Sequence, residues 1–270
     1  MSSLQNFSGT LVLVGAGKMG GAMLDGWLAL GLDPNKIAIR EPQPAPDIAA
    51  LAARGVRINP ASVDDASVIV IAIKPQDAAT VVPTLKPLAN ATTLAVSIMA
   101  GKTLGFLESA LPAAIVRAMP NTPAAIGRGI TVAVPNAKVT QDQRALADTL
   151  LGAVGVVEWV EDESLLDAVT AVSGSGPAYV FLLAEELARA AVAAGLPLEL
   201  ATRLARETVA GSGELLHRSE LASATLRQNV TSPGGTTAAA LEVLMGEGGM
   251  QPLMIRAIAA ATKRSKDLAK

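Results

Sequence analysis

At 270 residues the chain has room for two medium domains, and 22 Lys and Arg against 24 Asp and Glu give a formal net charge of −2. With no basic run and only 2% aromatic residues, phosphate tracking and base stacking both lack their side chains, so nucleic acid is excluded as a partner. The absence of cysteine excludes disulfides and thiolate chemistry and fits a reducing compartment.

Hydrophobic residues make up 50% of the chain, and the mean hydropathy is +0.41, but the excess is largely alanine. The longest uncharged stretches, 87–101 and 168–184, are short and broken by Gly, Ser or Pro, so no membrane span is expected. The opening MSSLQNFSGT has neither a basic start nor an apolar run with a cleavage site, which makes the cytoplasm the expected location.

From Thr10 to Trp159, short apolar runs alternate with helical segments: LVLVG, KIAIR, VIVIAI, TTLAVSI, AAIVRA, ITVAV and VGVVEWV. Alternation of this kind predicts an α/β Rossmann-type N-terminal domain with a mostly parallel sheet, spanning residues 1–160. The runs are apolar throughout, as strands covered on both faces require.

The first run leads into Gly15, Ala16, Gly17, Lys18, Met19 and Gly20, a G-x-G-x-x-G between a strand and a helix. This spacing predicts a dinucleotide loop: Gly15 for the tight turn, Gly17 for close approach of a pyrophosphate, Gly20 for helix–strand packing. The second strand ends in Arg40 and Glu41, one residue suited to a 2′-phosphate or to stacking on adenine and one to ribose hydroxyls. Arg40 tilts the expectation toward NADPH, with NADH as the alternative. Lys74 and Pro75 follow the VIVIAI strand at the same edge, and Ser97, Met99 and Gly101 follow the next, near the expected nicotinamide.

Beyond residue 160 the pattern is helical to the end, predicting an all-helical domain over 161–270 for substrate binding and dimerisation. Residues 178–194 carry charge only at Glu185, Glu186 and Arg189, and residues 252–261 only at Arg256. Helices apolar around most of their circumference need burial that a small domain cannot supply alone, so a homo-oligomer is expected.

Two hydroxyl-rich loops interrupt this half. VSGSGP, with Ser175 before Pro177, reads as a helix start with free amides suited to an anion. NVTSPGGTT, residues 229–237, carries no formal charge; its Thr231, Ser232, Thr236 and Thr237 are placed to cap the next helix. A general base is missing: the lone His217 sits at a helix end, and no lysine occurs between Lys138 and Lys263. A protonated imine is already electrophilic and needs orientation rather than a strong base, which favours a C=N acceptor over an alcohol–ketone pair. No metal is expected.

Taken in order, VGAGKMGGAM, AIKP, SIMAG, RAMPNTP, VSGSGPAYVF and SPGGTT resemble the pyrroline-5-carboxylate reductase family over essentially the whole chain from Thr10. The resemblance implies hydride transfer from NADPH or NADH to 1-pyrroline-5-carboxylate, giving L-proline. It implies a cofactor lying across Gly15 to Gly20, with Ala72, Lys74 and Pro75 beside it and Asn121 near the nicotinamide. It also implies a substrate carboxylate held by Ser232, Gly234, Gly235, Thr236 and Thr237, with Thr237 nearest the ring nitrogen. Helical domains interleaved as homodimers, assembled in many members as pentamers of dimers, complete the picture. Arg40, Glu41 and Pro42 depart from the family pattern, as does Met99, which is expected to tighten the nicotinamide pocket. The remaining alternatives are another imine or small hydroxy-acid oxidoreductase of this architecture, and a dinucleotide-binding scaffold without catalysis, which would leave both later loops unexplained.

Overall fold

In the computed structural model, residues 3–63 and 66–268 are described; the outermost residues of both expected domain ranges lie outside them. The sheet has eight strands: β1 (Thr10–Val14), β2 (Ile37–Arg40), β3 (Arg57–Ile58), β4 (Ala66–Ile71), β5 (Leu94–Ser97), β6 (Ala114–Met119), β7 (Gly129–Pro135) and β8 (Gly155–Trp159). Their order is β3-β2-β1-β4-β5-β6-β7-β8. All pairs are parallel except β6–β7. A parallel return needs a dozen or more residues, and the link between β6 and β7 is shorter, so the chain turns back antiparallel there.

Between the strands lie α1 (Lys18–Ala29), α2 (Pro46–Ala50), α3 (Ala78–Val81), α4 (Leu104–Ala110) and α5 (Gln141–Gly152). Alternation along β1 sends Leu11 and Leu13 to one core with Met23, Leu24 and Trp27, and Val12 and Val14 to the other with Ile69, Ile71 and Leu85. The Trp27 indole N–H, fully buried, donates to Leu150 O at 2.8 Å and ties α1 to α5. Thr140 and Gln143 form a reciprocal cap at the start of α5.

The helical part comprises α6 (Leu166–Val169), a π-helical turn (Thr170–Gly174), α7 (Gly176–Ala193), α8 (Leu198–Arg218), α9 (Ser223–Asn229), α10 (Thr236–Leu244) and α11 (Met250–Leu268). By compactness the chain divides into residues 1–174 with 262–270, and residues 175–261. The strands stop at Trp159, but compactness continues past 160. Leu166 packs with Val132 and Val134, and the Ser265 hydroxyl bonds to Asp167 Oδ1 at 2.6 Å.

In the second unit α7 packs along α8, with Ala201 and Ala205 buried one helical turn apart. Its large apolar side chains are otherwise strongly exposed: Phe181 is 68% exposed, Leu198 71% and Val243 77%. The helical stretch Glu163–Ala193 is long and apolar enough to cross a membrane by length and composition only, and little of it is buried within the chain. An exposed apolar surface of this extent marks an interaction face.

Candidate active site

Strand order reverses between β1 and β4, and the carboxyl ends of the parallel strands there open onto a crevice. A cleft of about 840 Å³ lies at this point, lined by Gly15, Gly17, Arg40, Glu41, Ala72 and Lys74 among others. Two backbone bonds fix its floor: the Gly15 amide donates to Arg40 O at 2.9 Å, and the Ala72 amide to Val14 O at 2.7 Å.

The three glycines play different parts. At Gly15 φ is +91°, and a Cβ would lie 2.7 Å from Ala72 O; at Gly20 it would lie 2.3 Å from Gly15 O. At Gly17 a Cβ would meet nothing within 4 Å, so there the missing side chain leaves open space beside the backbone rather than relieving a clash. Gly17 is the N-cap of α1, no side chain caps the helix, and the first helical bond is Gly21 N to Gly17 O. The amides of Lys18, Met19 and Gly20 are thus left without helical acceptors, at the positive end of the helix. This cradle fits a pyrophosphate by an observation internal to the fold.

Beside the glycine loop, Glu41 is half-buried and tied down. Its Oε2 accepts the Ala16 amide at 3.0 Å, and its Oε1 accepts the Gln43 amide at 3.1 Å. Asn59 clasps its backbone: the Glu41 amide donates to Asn59 Oδ1 at 2.9 Å, and Asn59 Nδ2 donates to Glu41 O at 2.8 Å. Among the described residues Asn59 is the only non-glycine at positive φ, +46°.

Further along the edge, Lys74 is exposed, and Pro75 begins a short 3-10 turn. Asn121 follows β6, and its Oδ1 accepts the Ile130 amide at 2.9 Å, so it anchors the start of β7. Met99 departs from its expected place: it is 2% exposed and packs in the core with Leu107 and Leu111, so its side chain does not narrow a nicotinamide pocket.

In the helical unit, Ser232, Pro233, Gly234 and Gly235 form a turn closed by the Gly235 amide on Ser232 O at 3.1 Å. Gly234 has φ +69°, the left-handed geometry that the third position of a Pro-Gly turn demands. The expected side-chain cap is absent. Gly235 is the N-cap of α10 and no hydroxyl bonds back to the helix start, while Thr231 Oγ1 donates instead to Arg227 O at 2.7 Å. The first helical bond is Ala239 N to Gly235 O, leaving the amides of Thr236, Thr237 and Ala238 without helical acceptors. Ser232 and Thr236 are exposed and Thr237 is half-buried.

The other loop also differs from expectation. Ser175 has φ −86° and ψ −21°, within the right-handed helical region, and the π turn Thr170–Gly174 leads into it. Ser175 is nonetheless the N-cap of α7, with Pro177 in the first turn as expected, and no side chain caps that start. Single π turns of this kind mark functional positions. His217 lies in the last turn of α8. Among the described residues, no three or more His, Asp or Glu gather as metal ligands.

Known proteins match this arrangement along nearly its full length. Residues 163–268 match the family model for pyrroline-5-carboxylate reductase dimerisation, and residues 10–101 match that for NADP oxidoreductase, coenzyme F420-dependent. The pyrroline-5-carboxylate reductases of Pseudomonas aeruginosa and Synechocystis are 40% and 42% identical to it, each over 96% of this chain and over 96% and 98% of their own. The solved enzyme of Coxiella burnetii has a TM-score of 0.89 at 36% identity, covering 97% of this chain and 99% of its own. That of Plasmodium falciparum, solved with NADP bound, has a TM-score of 0.80 at 28% identity, covering 99% of this chain and 100% of its own. With relatives of this identity over nearly the whole length, the chain belongs to the pyrroline-5-carboxylate reductase family.

Proposed function

We propose that the protein reduces 1-pyrroline-5-carboxylate to L-proline, the closing step of proline synthesis, using a reduced nicotinamide dinucleotide. The observation that carries this reading is the uncapped, glycine-led start of α10, an anion cradle without a cation, in a chain that also has a dinucleotide loop at Gly15–Gly20. A carboxylate fits the amides of Thr236 and Thr237 together with the Ser232 hydroxyl, and Gly234 and Gly235 allow it close approach. An uncharged cradle also releases the zwitterionic product readily.

The dinucleotide supplies hydride to the ring carbon, the C=N pair moves onto the already protonated nitrogen, and a secondary amine results. Thr237 is assigned to hold that nitrogen and Ser175 to assist at the substrate. Arg40, Ala72, Lys74, Pro75 and Asn121 are assigned to the cofactor side, around Gly15, Ala16, Gly17, Lys18, Met19 and Gly20. No residue is asked to act as a strong base, in keeping with the absence of lysine between 138 and 263.

The exposed apolar helices α7, α8, α10 and α11 are assigned to a homodimer, and pentamers of such dimers are the further assembly proposed. Work in the cytoplasm suits a chain without cysteine. The test is direct: the purified protein, given 1-pyrroline-5-carboxylate, consumes NADPH or NADH, and failure to oxidise either overturns the reading.

A further inference from the structure

The Glu41 carboxylate sits where the dinucleotide fold places the adenosine ribose, just past the last residue of β2 and on the cleft shared with Gly17. Both of its oxygens accept backbone amides, from Ala16 and Gln43, which fixes the direction of the carboxylate. The two-way bond between the Asn59 side chain and the Glu41 peptide holds the residue in place, at a position where Asn59 itself adopts a left-handed backbone. A fixed carboxylate accepts hydrogen bonds from ribose hydroxyls and repels a 2′-phosphate. Arg40, whose guanidinium has no partner among the described residues, lines the same cleft. A guanidinium stacked on adenine serves the phosphorylated and unphosphorylated cofactors alike, so it does not decide between them.

We infer that Glu41, positioned by Asn59, selects against a 2′-phosphate and makes this reductase prefer NADH, a choice that rests on the dinucleotide reading of the Gly15–Gly20 loop. The preference runs against the expectation drawn from Arg40 alone.

The test is equilibrium binding of NAD⁺ and NADP⁺ to the full-length protein by calorimetry, with no imine substrate present. The wild type binds NAD⁺ tighter by about tenfold or more, and Glu41→Ser shifts the ratio of the two affinities toward NADP⁺ by at least about tenfold. Asn59→Gly, which keeps the backbone conformation and removes the clasp, moves the ratio the same way by about threefold; a merely structural loss would weaken both ligands equally. Arg40→Ala weakens both ligands by the same factor. Tighter NADP⁺ binding by the wild type, an unchanged ratio in Glu41→Ser, or a loss confined to NADP⁺ in Arg40→Ala overturns the proposal alone. Failure of the wild type to bind either ligand overturns the dinucleotide reading beneath it.

Discussion

Arg117 Nη1 donates to Glu163 Oε1 at 2.6 Å, and the same oxygen accepts the Leu104 amide at 2.7 Å. One carboxylate thus joins a guanidinium on β6, only 7% exposed, to the first residue of α4. Removing it leaves a buried charge and an unpaired helix-start amide together. Glu163→Ala is expected to cost about 2 kcal/mol, less than a fully buried pair because the carboxylate is 28% exposed. Glu163→Gln keeps one acceptor and costs about half as much. Urea unfolding followed by circular dichroism measures both, and an alanine variant as stable as wild type would refute the linkage.

The glycine loop separates folding from binding. Gly15→Ala forces a side chain to φ +91° and into Ala72 O, and should destabilise the fold by about 2 kcal/mol or more. Gly17→Ala meets no protein atom and keeps an ordinary φ of −71°, so it should stay within about 0.5 kcal/mol of wild type. The same change puts a methyl where a pyrophosphate is proposed to approach and should weaken dinucleotide binding by about tenfold or more. Thermal melts with and without dinucleotide separate the effects; equal stabilisation of Gly17→Ala and wild type by the ligand would contradict the role given to Gly17.

Six strands were legible because a strand covered on both faces must be apolar along its whole length, as in Leu11–Val14 and Val68–Ile71; β8 was read from the same apolar pattern, although it lies at the sheet edge with half-buried and exposed residues alternating. β3 was not, since Arg57 and Ile58 form a two-residue edge strand whose pairing with Ala38 and Ile39 leaves no periodic trace. The glycine loop was readable from spacing alone. The bond from Ala16 to Glu41 was not, because it joins residues 25 apart through the end of a neighbouring strand. Local chemistry misled at two positions. The threonines beside Gly235 are good caps that leave the helix start bare, and Met99 turns into the core; the π turn before Ser175 has no signal in the sequence. At the first of these, bare amides suit a ligand better than capped ones.

The exposed apolar helices carry a prediction about assembly. Exposed apolar side chains such as Phe181, Leu182 and Leu183 on α7 and Leu253 and Ile255 on α11 are not expected of a stable monomer in water. Light scattering at low concentration should find a dimer or larger, and Phe181→Glu should lower the association state or the melting temperature. A folded wild-type monomer under those conditions would remove the dimer reading.

The two threonines that open α10 differ in exposure, and this decides which should touch the ring. Thr236 is exposed at the first helical position, whereas Thr237, one residue on, is half-buried. Both have a backbone amide without a helical acceptor, so alanine at either position keeps that donor and removes only a hydroxyl. If Thr237 holds the ring nitrogen, Thr237→Ala should lower kcat by about tenfold to a hundredfold with unchanged dinucleotide affinity, because the lost contact acts on the reacting bond. Thr236→Ala should instead raise KM for the imine by only a few fold, as expected for a hydroxyl at the edge of an anion cradle. Steady-state kinetics with the imine varied at saturating cofactor distinguishes the two. If Thr236→Ala carries the larger loss in kcat, their roles are exchanged; if neither changes turnover, the nitrogen is held elsewhere.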